Sequence, residues 1–170
     1  MNNPQRSGCP INLALEVLGD KWSLLVLRDI VFADRRYFRQ LLTGSMEGIA
    51  SNILADRLKR LVESGVLSKA GDADHKQKTR YSLTETGIEL VPVLAELGIW
   101  GSHHLHADEL LSVGARVLEG GGPGARQRLM QELREEHLAG AAAAPKRTRR
   151  QSVRGEIQDA YQAMVEAGAQ

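Results

Sequence analysis

The stretch that decides the fold is Gly48–Thr84, GIASNILADRLKRLVESGVLSKAGDADHKQKTRYSLT. Its first half has the period of a helix. Leu54, Leu58, Leu61 and Val62 fall at i, i+4, i+7 and i+8, one apolar stripe. Ser51 stands where an N-cap is wanted, because its hydroxyl can accept from a free first-turn N–H. Gly65 stands at the C′ position, where glycine takes a positive φ without a Cβ clash. The side opposite the stripe carries Asn52, Asp56, Lys59, Arg60 and Glu63, with Ala55 and Arg57 on its flanks. The first turn (Ser51, Asn52, Ala55) is small and polar, and such side chains can approach base edges closely.

The second half has the signals of a hairpin. Val66–Ala70 and Thr79–Thr84 are short runs containing β-branched and aromatic residues, and Tyr81 and Leu83 alternate with Arg80 and Ser82. Between them lies the polar, glycine-opened loop Gly71–Lys78. His75, Lys76, Lys78 and Arg80 crowd its C-terminal half, and such a tip can lie along a phosphate backbone. An exposed polar helix followed by a basic hairpin is how a winged helix-turn-helix grips DNA. The bland alternative, a solvated helix face and a soluble loop, stays open on pattern alone.

The chain has 170 residues, room for one domain with an extension or for two small domains. Aromatic residues are only 4%, so a core must be built from Leu, Val, Ile and Ala. The formal net charge is +1, so any nucleic-acid contact must come from a local patch. The start, MNNPQRSGCP, lacks the apolar region of a signal peptide. No apolar run approaches the roughly 20 residues of a membrane span. Cys9 stands alone, which precludes an intrachain disulfide and argues against a cysteine-based zinc site. A reduced, cytoplasmic setting is expected.

Outward from the central stretch, residues 1–8 read as a flexible arm. Asn12–Leu18 reads as a short helix, and Lys21–Phe32 (KWSLLVLRDIVF) as the central buried one. Asp34-Arg35-Arg36 reads as a turn. Tyr37–Leu42 reads as a short helix with Arg39 and Gln40 on its outer side, followed by a turn containing Gly44 and Gly48. After the hairpin, Thr84 is expected to cap a long helix over Glu85–His106, with a kink near Pro92. Ile88, Val91, Leu94, Ala95, Leu97 and Trp100 give that helix an apolar side that a partner subunit would cover. A further helix is expected within Asp108–Leu118. Gly120–Gly124 reads as a linker, Arg126–Ala139 as a helix, residues 141–150 as an alanine-rich then basic linker, and Val153–Ala167 as a last helix.

The ordered series Cys9-Pro10, Leu18–Ser23, Leu27-Arg28-Asp29, Tyr37-Phe38 with Leu41, Gly48-Ile49, Leu54–Leu61, Gly65–Leu67, Tyr81–Gly87 and Trp100-Gly101 resembles the HxlR-type transcriptional regulators, relatives of the MarR group. The resemblance spans about residues 9–106. It implies a mainly α fold with a small β-hairpin wing (α+β), a winged helix-turn-helix. Residues 107–170 lie outside the resemblance and read as a helical C-terminal extension; the alternatives are a basic arm, Lys146–Arg150, laid on DNA phosphates, and a partly disordered appendage whose helix docks on a partner. The resemblance implies a homodimer joined through Ile11–Leu18 and Glu85–His106, presenting two recognition helices to half-sites about one DNA turn, ~34 Å, apart. It places Ser51, Asn52, Arg57 and Lys59 on the recognition helix, Arg39 and Gln40 against the DNA backbone, and His75, Lys76, Lys78 and Arg80 in the wing. This hairpin lacks a proline often seen there in the family.

Some family members sense oxidants or electrophiles with a cysteine in this Cys-Pro position, so Cys9 is a candidate regulatory thiol. A helix N-terminus lowers a thiol pKa. With one cysteine per chain, a switch needs an intersubunit bond, a mixed disulfide or alkylation. The alternative is a small hydrophobe in the dimer interface. His103, His104 and His106 read as a polar helix end rather than a metal site. No nucleophile–base pair or phosphate loop stands out, so neither enzyme activity nor a cofactor is expected. The expected function is dimeric, sequence-specific binding of promoter DNA, with repression by occlusion as the default and an electrophile or small molecule as effector. The alternative is a winged-helix module that binds a protein partner.

Overall fold

A computed structural model describes residues 7–71, 78–138 and 152–168. The chain divides into two compact units, Met1–Thr84 and Glu85–Gln170. The division falls inside the 9–106 span that the sequence treats as one domain. Residues 1–6 of the expected arm and the 141–150 linker lie outside the described residues.

The first unit holds α1 (Pro10–Leu18), α2 (Lys21–Ala33), α3 (Phe38–Gly44), α4 (Ser51–Glu63), β1 (Leu67–Gly71) and β2 (Thr79–Leu83). Its core is aliphatic, as the scarcity of aromatics requires. Leu27, Ile30, Leu41, Leu54, Leu58, Leu61, Leu67 and Leu83 are all essentially inaccessible. They join α2, α3, α4 and the base of the hairpin into one cluster. Asp20 caps α2, its Oδ1 accepting from the Trp22 and Ser23 amides at 2.9 and 3.0 Å. The helix ends at Asp34 in the left-handed region (φ 48°), which a short polar side chain tolerates.

Two expectations for α4 meet different fates. Ser51 is the first helical residue, not the cap. Ala50 is extended and its carbonyl already accepts from Leu54 N at 2.9 Å, so the helix starts one residue earlier, without a side-chain cap. Gly65 does take the C′ position, with φ +73°. There Gly65 N donates to Val62 O at 3.1 Å and Val66 N to Leu61 O at 3.0 Å, the paired closure of a Schellman motif. The chain then turns into a hairpin whose register pairs Leu67 with Leu83 and Gly71 with Thr79. An isolated antiparallel bridge links Tyr37 to Arg80 of β2.

The second unit holds α5 (Glu85–Ile88), α6 (Val91–His104), α7 (Val113–Gly120), α8 (Gly122–His137) and α9 (Val153–Gly168). The long helix expected over Glu85–His106 is thus two helices, broken at Glu89-Leu90. The break puts Pro92 in the first turn of α6, where its missing N–H leaves no bond unmade. Leu94, Ala95 and Ile99 of α6 bury with Val113, Leu118, Leu129, Leu133 and Val153. The Gly120–Gly124 run is no linker. It is a tight corner between α7 and α8, with Gly122 at φ +55°. A Cβ at Gly121, the N-cap of α8, would lie 2.5 Å from that of Ala125 one turn on and 3.3 Å from the Val117 carbonyl of α7, so the corner is this tight only with glycine there. Buried Glu132 accepts from Val153 N at 2.8 Å and so fastens the start of α9 to α8.

Candidate nucleic-acid interface

The outer face of α4 is open to solvent: Ser51, Asn52, Ala55, Asp56, Lys59, Arg60 and Glu63 are all exposed. Charge on it is largely paired within the helix. Arg60 Nε lies 3.2 Å from Asp56 Oδ2, and Lys59 Nζ lies 3.8 Å from Glu63 Oε1. The uncharged, short side chains are those of the first turn, where a helix end can approach a groove most closely.

Arg57 sits apart from that face. Its Nη1 lies 3.2 Å from Asp20 Oδ2, and its side chain is only 18% exposed. It therefore struts α4 against the N-terminus of α2. Asp20 receives this contact while capping α2 and accepting from the Ser23 hydroxyl at 2.6 Å. Partial burial raises the Asp20 carboxyl pKa. The Ser23 hydroxyl, the Ser23 and Trp22 amides and the Arg57 charge outweigh it, leaving the group below the usual carboxylate range.

A second strut holds the turn before α4. Arg28 reaches both Glu47 oxygens, at 2.6 and 2.9 Å, and also Asp29 Oδ1 at 3.0 Å. The buried Asp29 carboxylate is closed from the other side by Arg35, at 3.1 Å. The Arg28 bond holds the Glu47 carboxyl below its ordinary range, against a smaller opposing effect of burial. Gly44 makes room for Arg35, since a Cβ there would lie 2.4 Å from Arg35 Nε. Bidentate Arg–carboxylate geometry fixes orientation as well as distance. These residues were read from the sequence only as part of a motif or a turn.

On α3, Arg39 is exposed. Gln40 is exposed too, but its Oε1 accepts from the Arg36 and Tyr37 amides at 3.0 and 3.1 Å. Its carbonyl thus caps α3, and only its NH2 is left for another partner. In the wing, Lys78 is exposed and Arg80 is half-buried. Lys69, exposed on β1, joins them. His75 and Lys76 lie outside the described residues.

Cys9 is exposed and stands at the N-cap of α1. The Asn12 and then the Ile11 amide lower its thiol pKa, with burial opposing only weakly. Apolar side chains stay exposed on α1 (Ile11, Leu15) and in a stripe on α6 (Val93, Leu97, Trp100) at i, i+4 and i+7. Of the histidines after that stripe, His103 meets Glu119 at 3.1 Å and the His104 ring stands 5.4 Å from that of Trp100. None of the described helices is long and apolar enough to cross a membrane.

Comparison with known proteins agrees with this geometry. The chain is 35% identical over 102 residues to Rv3095 of Mycobacterium tuberculosis, named an uncharacterized HTH-type transcriptional regulator. That match covers 60% of this chain and 63% of that protein, so the chain spans just under two thirds of its relative. It is 34% identical over 115 residues to sll1512 of Synechocystis, likewise named, across 68% of this chain and 82% of the other. Among solved structures, PA1607, titled a candidate transcription factor, superposes with a TM-score of 0.56 at 34% identity. That superposition covers 62% of this chain and 71% of PA1607. A MarR-family candidate regulator from Porphyromonas gingivalis W83 superposes with a TM-score of 0.50 at 26% identity, over 58% of this chain and 95% of the other. The HxlR-like helix-turn-helix family model matches residues 17–109, and the chain belongs to that family.

Proposed function

We propose that this chain is a transcriptional regulator that acts in the cytoplasm as a homodimer, binds double-stranded promoter DNA and has no catalytic role. The observation that carries the reading is α4. Its small, polar first turn is exposed at the end of a helix that Asp20–Arg57 and Arg28–Glu47 fix from behind. Ser51 and Asn52 are assigned to base edges, and Lys59, Arg39 and the NH2 of Gln40 to the groove margins. The wing cations Lys69, Lys78 and Arg80 are assigned to phosphates, with His75 and Lys76 of the same hairpin. Arg57 is assigned to positioning α4 rather than to DNA. The exposed apolar stripes on α1 and α6 support dimerisation, since apolar patches of this kind mark protein contacts. Repression follows from occluding the promoter.

One observation favours a second reading, a module that docks a protein partner. The charges of the α4 face are paired with one another, so its net field is weak. Binding of the chain's own promoter fragment, followed by fluorescence anisotropy over a salt series, separates the two. The DNA reading expects affinity that falls steeply with salt. Binding without salt dependence, or none to promoter DNA, is the outcome against it. For the effector, Cys9 is assigned as an electrophile-reactive thiol. Cys9→Ser is expected to abolish release of DNA by a quinone or diamide; a variant that responds like wild type refutes the assignment.

A further inference from the structure

Residue 36 stands where the wing joins the helix-turn-helix. Arg36 is only 4% exposed, although arginine is almost never buried unless paired. Its Nε donates to the Tyr81 carbonyl at 3.2 Å and its Nη2 to the Ser82 hydroxyl. Its main chain works in the same direction. The Arg36 carbonyl accepts from Tyr81 N at 2.8 Å, and its N–H donates to the Gln40 cap of α3 at 3.0 Å. Tyr37 then pairs with Arg80. One residue therefore ties β2 to the entrance of α3 by side chain and backbone together.

A two-stranded hairpin is marginal by itself and takes its direction from what it is fastened to. β2 carries Arg80 and is entered from Lys78, so its direction determines where those cations lie. We propose that Arg36 is a positioning residue for DNA binding, holding the wing so that Lys78 and Arg80 reach phosphates while touching no DNA itself. The proposal rests on the DNA-binding reading above. Burial removes Arg36 from the surface, so its effect must pass through the wing.

The size of the effect follows from counterion release. Two wing cations contribute about 1.8 to the slope of log affinity against log salt, at about 0.9 for each phosphate contact. Between about 50 and 200 mM salt, that slope is worth roughly 12-fold in affinity for each wing released. The probe is the best duplex that the wild-type protein recovers from a randomised library. In the homodimer, with one wing per subunit, Arg36→Met is expected to lower the salt slope by about 3.6 and to weaken binding most at low salt. Lys78→Ala is expected to weaken wild type but to do little more in the Arg36→Met background.

An unchanged salt slope, or an equal cost of Lys78→Ala in both backgrounds, overturns the proposal. Ser82→Ala keeps the Arg36 charge and removes one of its partners, and it is expected to shift the slope in the same direction by less. It carries the same cycle should Arg36→Met fail to fold, and a Ser82→Ala protein with wild-type slope and a full Lys78→Ala cost also overturns the proposal. If the wild-type protein recovers no duplex, the DNA-binding reading fails and takes this one with it. That outcome is seen in the wild type alone, whereas failure of the clamp appears only in the variants.

Discussion

Replacing Asp20 tests whether α4 is held from behind as its geometry implies. The carboxylate caps α2 through two amides and meets Arg57 at 3.2 Å. Loss of an Asp cap to alanine costs about 1 kcal/mol. The partly exposed ion pair is worth less than about 1 kcal/mol itself. Removing Asp20, however, leaves the largely buried Arg57 guanidinium with only the longer contact to Asp56, at 3.5 Å, which brings that part to about 1 kcal/mol. Asp20→Ala should thus cost about 2 kcal/mol, a shift of about 1 M in urea midpoint for a slope near 2 kcal/mol per M. Asp20→Asn keeps a capping oxygen and loses the charge, so it should cost about half as much.

Trp22 reports on this unit when the second tryptophan is removed by Trp100→Phe, and urea unfolding followed at Trp22 gives both midpoints. Asp20→Asn costing as much as Asp20→Ala would refute the cap. An Arg57→Met penalty that is undiminished in the Asp20→Ala background would refute the strut. The acid limb gives an independent check. Partial burial raises the Asp20 pKa, but the Ser23 hydroxyl, the two amides and Arg57 hold it lower than normal. A depressed folded-state pKa gives stability that is present above the unfolded value, about 3.9, and lost as pH falls through the lower folded value. Wild type should therefore lose this contribution below about pH 4, and Asp20→Asn should show no such component.

Asn52→Ala is expected to alter base preference in a binding selection while leaving the salt slope intact. Lys78→Ala is expected to weaken all duplexes alike and to lower the slope by about 1.8, about 0.9 from each subunit, so a changed base preference for Lys78→Ala reverses the roles of helix and wing. Leu97→Asp places a charge in the exposed Val93–Leu97–Trp100 stripe, and sedimentation is expected to report monomers where wild type gives dimers; a persisting dimer moves the interface elsewhere. Gly121→Val puts side-chain atoms where a Cβ alone stands 2.5 Å from Ala125. Thermal unfolding should show a loss of about 1–3 kcal/mol, and an unchanged melting curve would mean that the corner opens freely.

Local signals carried much of this protein. The α4 stripe, the Gly65 stop and the β2 strand signal each depend on residues a few positions apart, and each element appears in the structure where its pattern lies, although burial along β2 rises towards Leu83 rather than alternating. Errors came where a local rule met a competing contact. Ser51 has the chemistry of a cap, yet the extended Ala50 already supplies the carbonyl that starts the helix. The glycines at 120–124 have the composition of a linker, yet two packed helices use them to come close. Pro92 signals a break without saying on which side it falls. The structure puts it before the proline, because the lost N–H then lies in a first turn.

The candidate site divides the same way. Exposure of Ser51, Asn52 and Lys59 was legible because it follows from helical period alone. The role of Arg57 was not, because Asp20 lies 37 residues away and no spacing rule connects them. Arg35 and Arg36 sit side by side in what the sequence presents as a charged turn. Folding sends one to Asp29 and buries the other against β2. By itself, the sequence determined the helices of the first unit, the hairpin and the family, since those rest on period, turn chemistry and ordered motifs. Only the tertiary structure decided which cations face outward and which brace the frame, because a guanidinium takes whichever carboxylate or carbonyl the fold brings within reach.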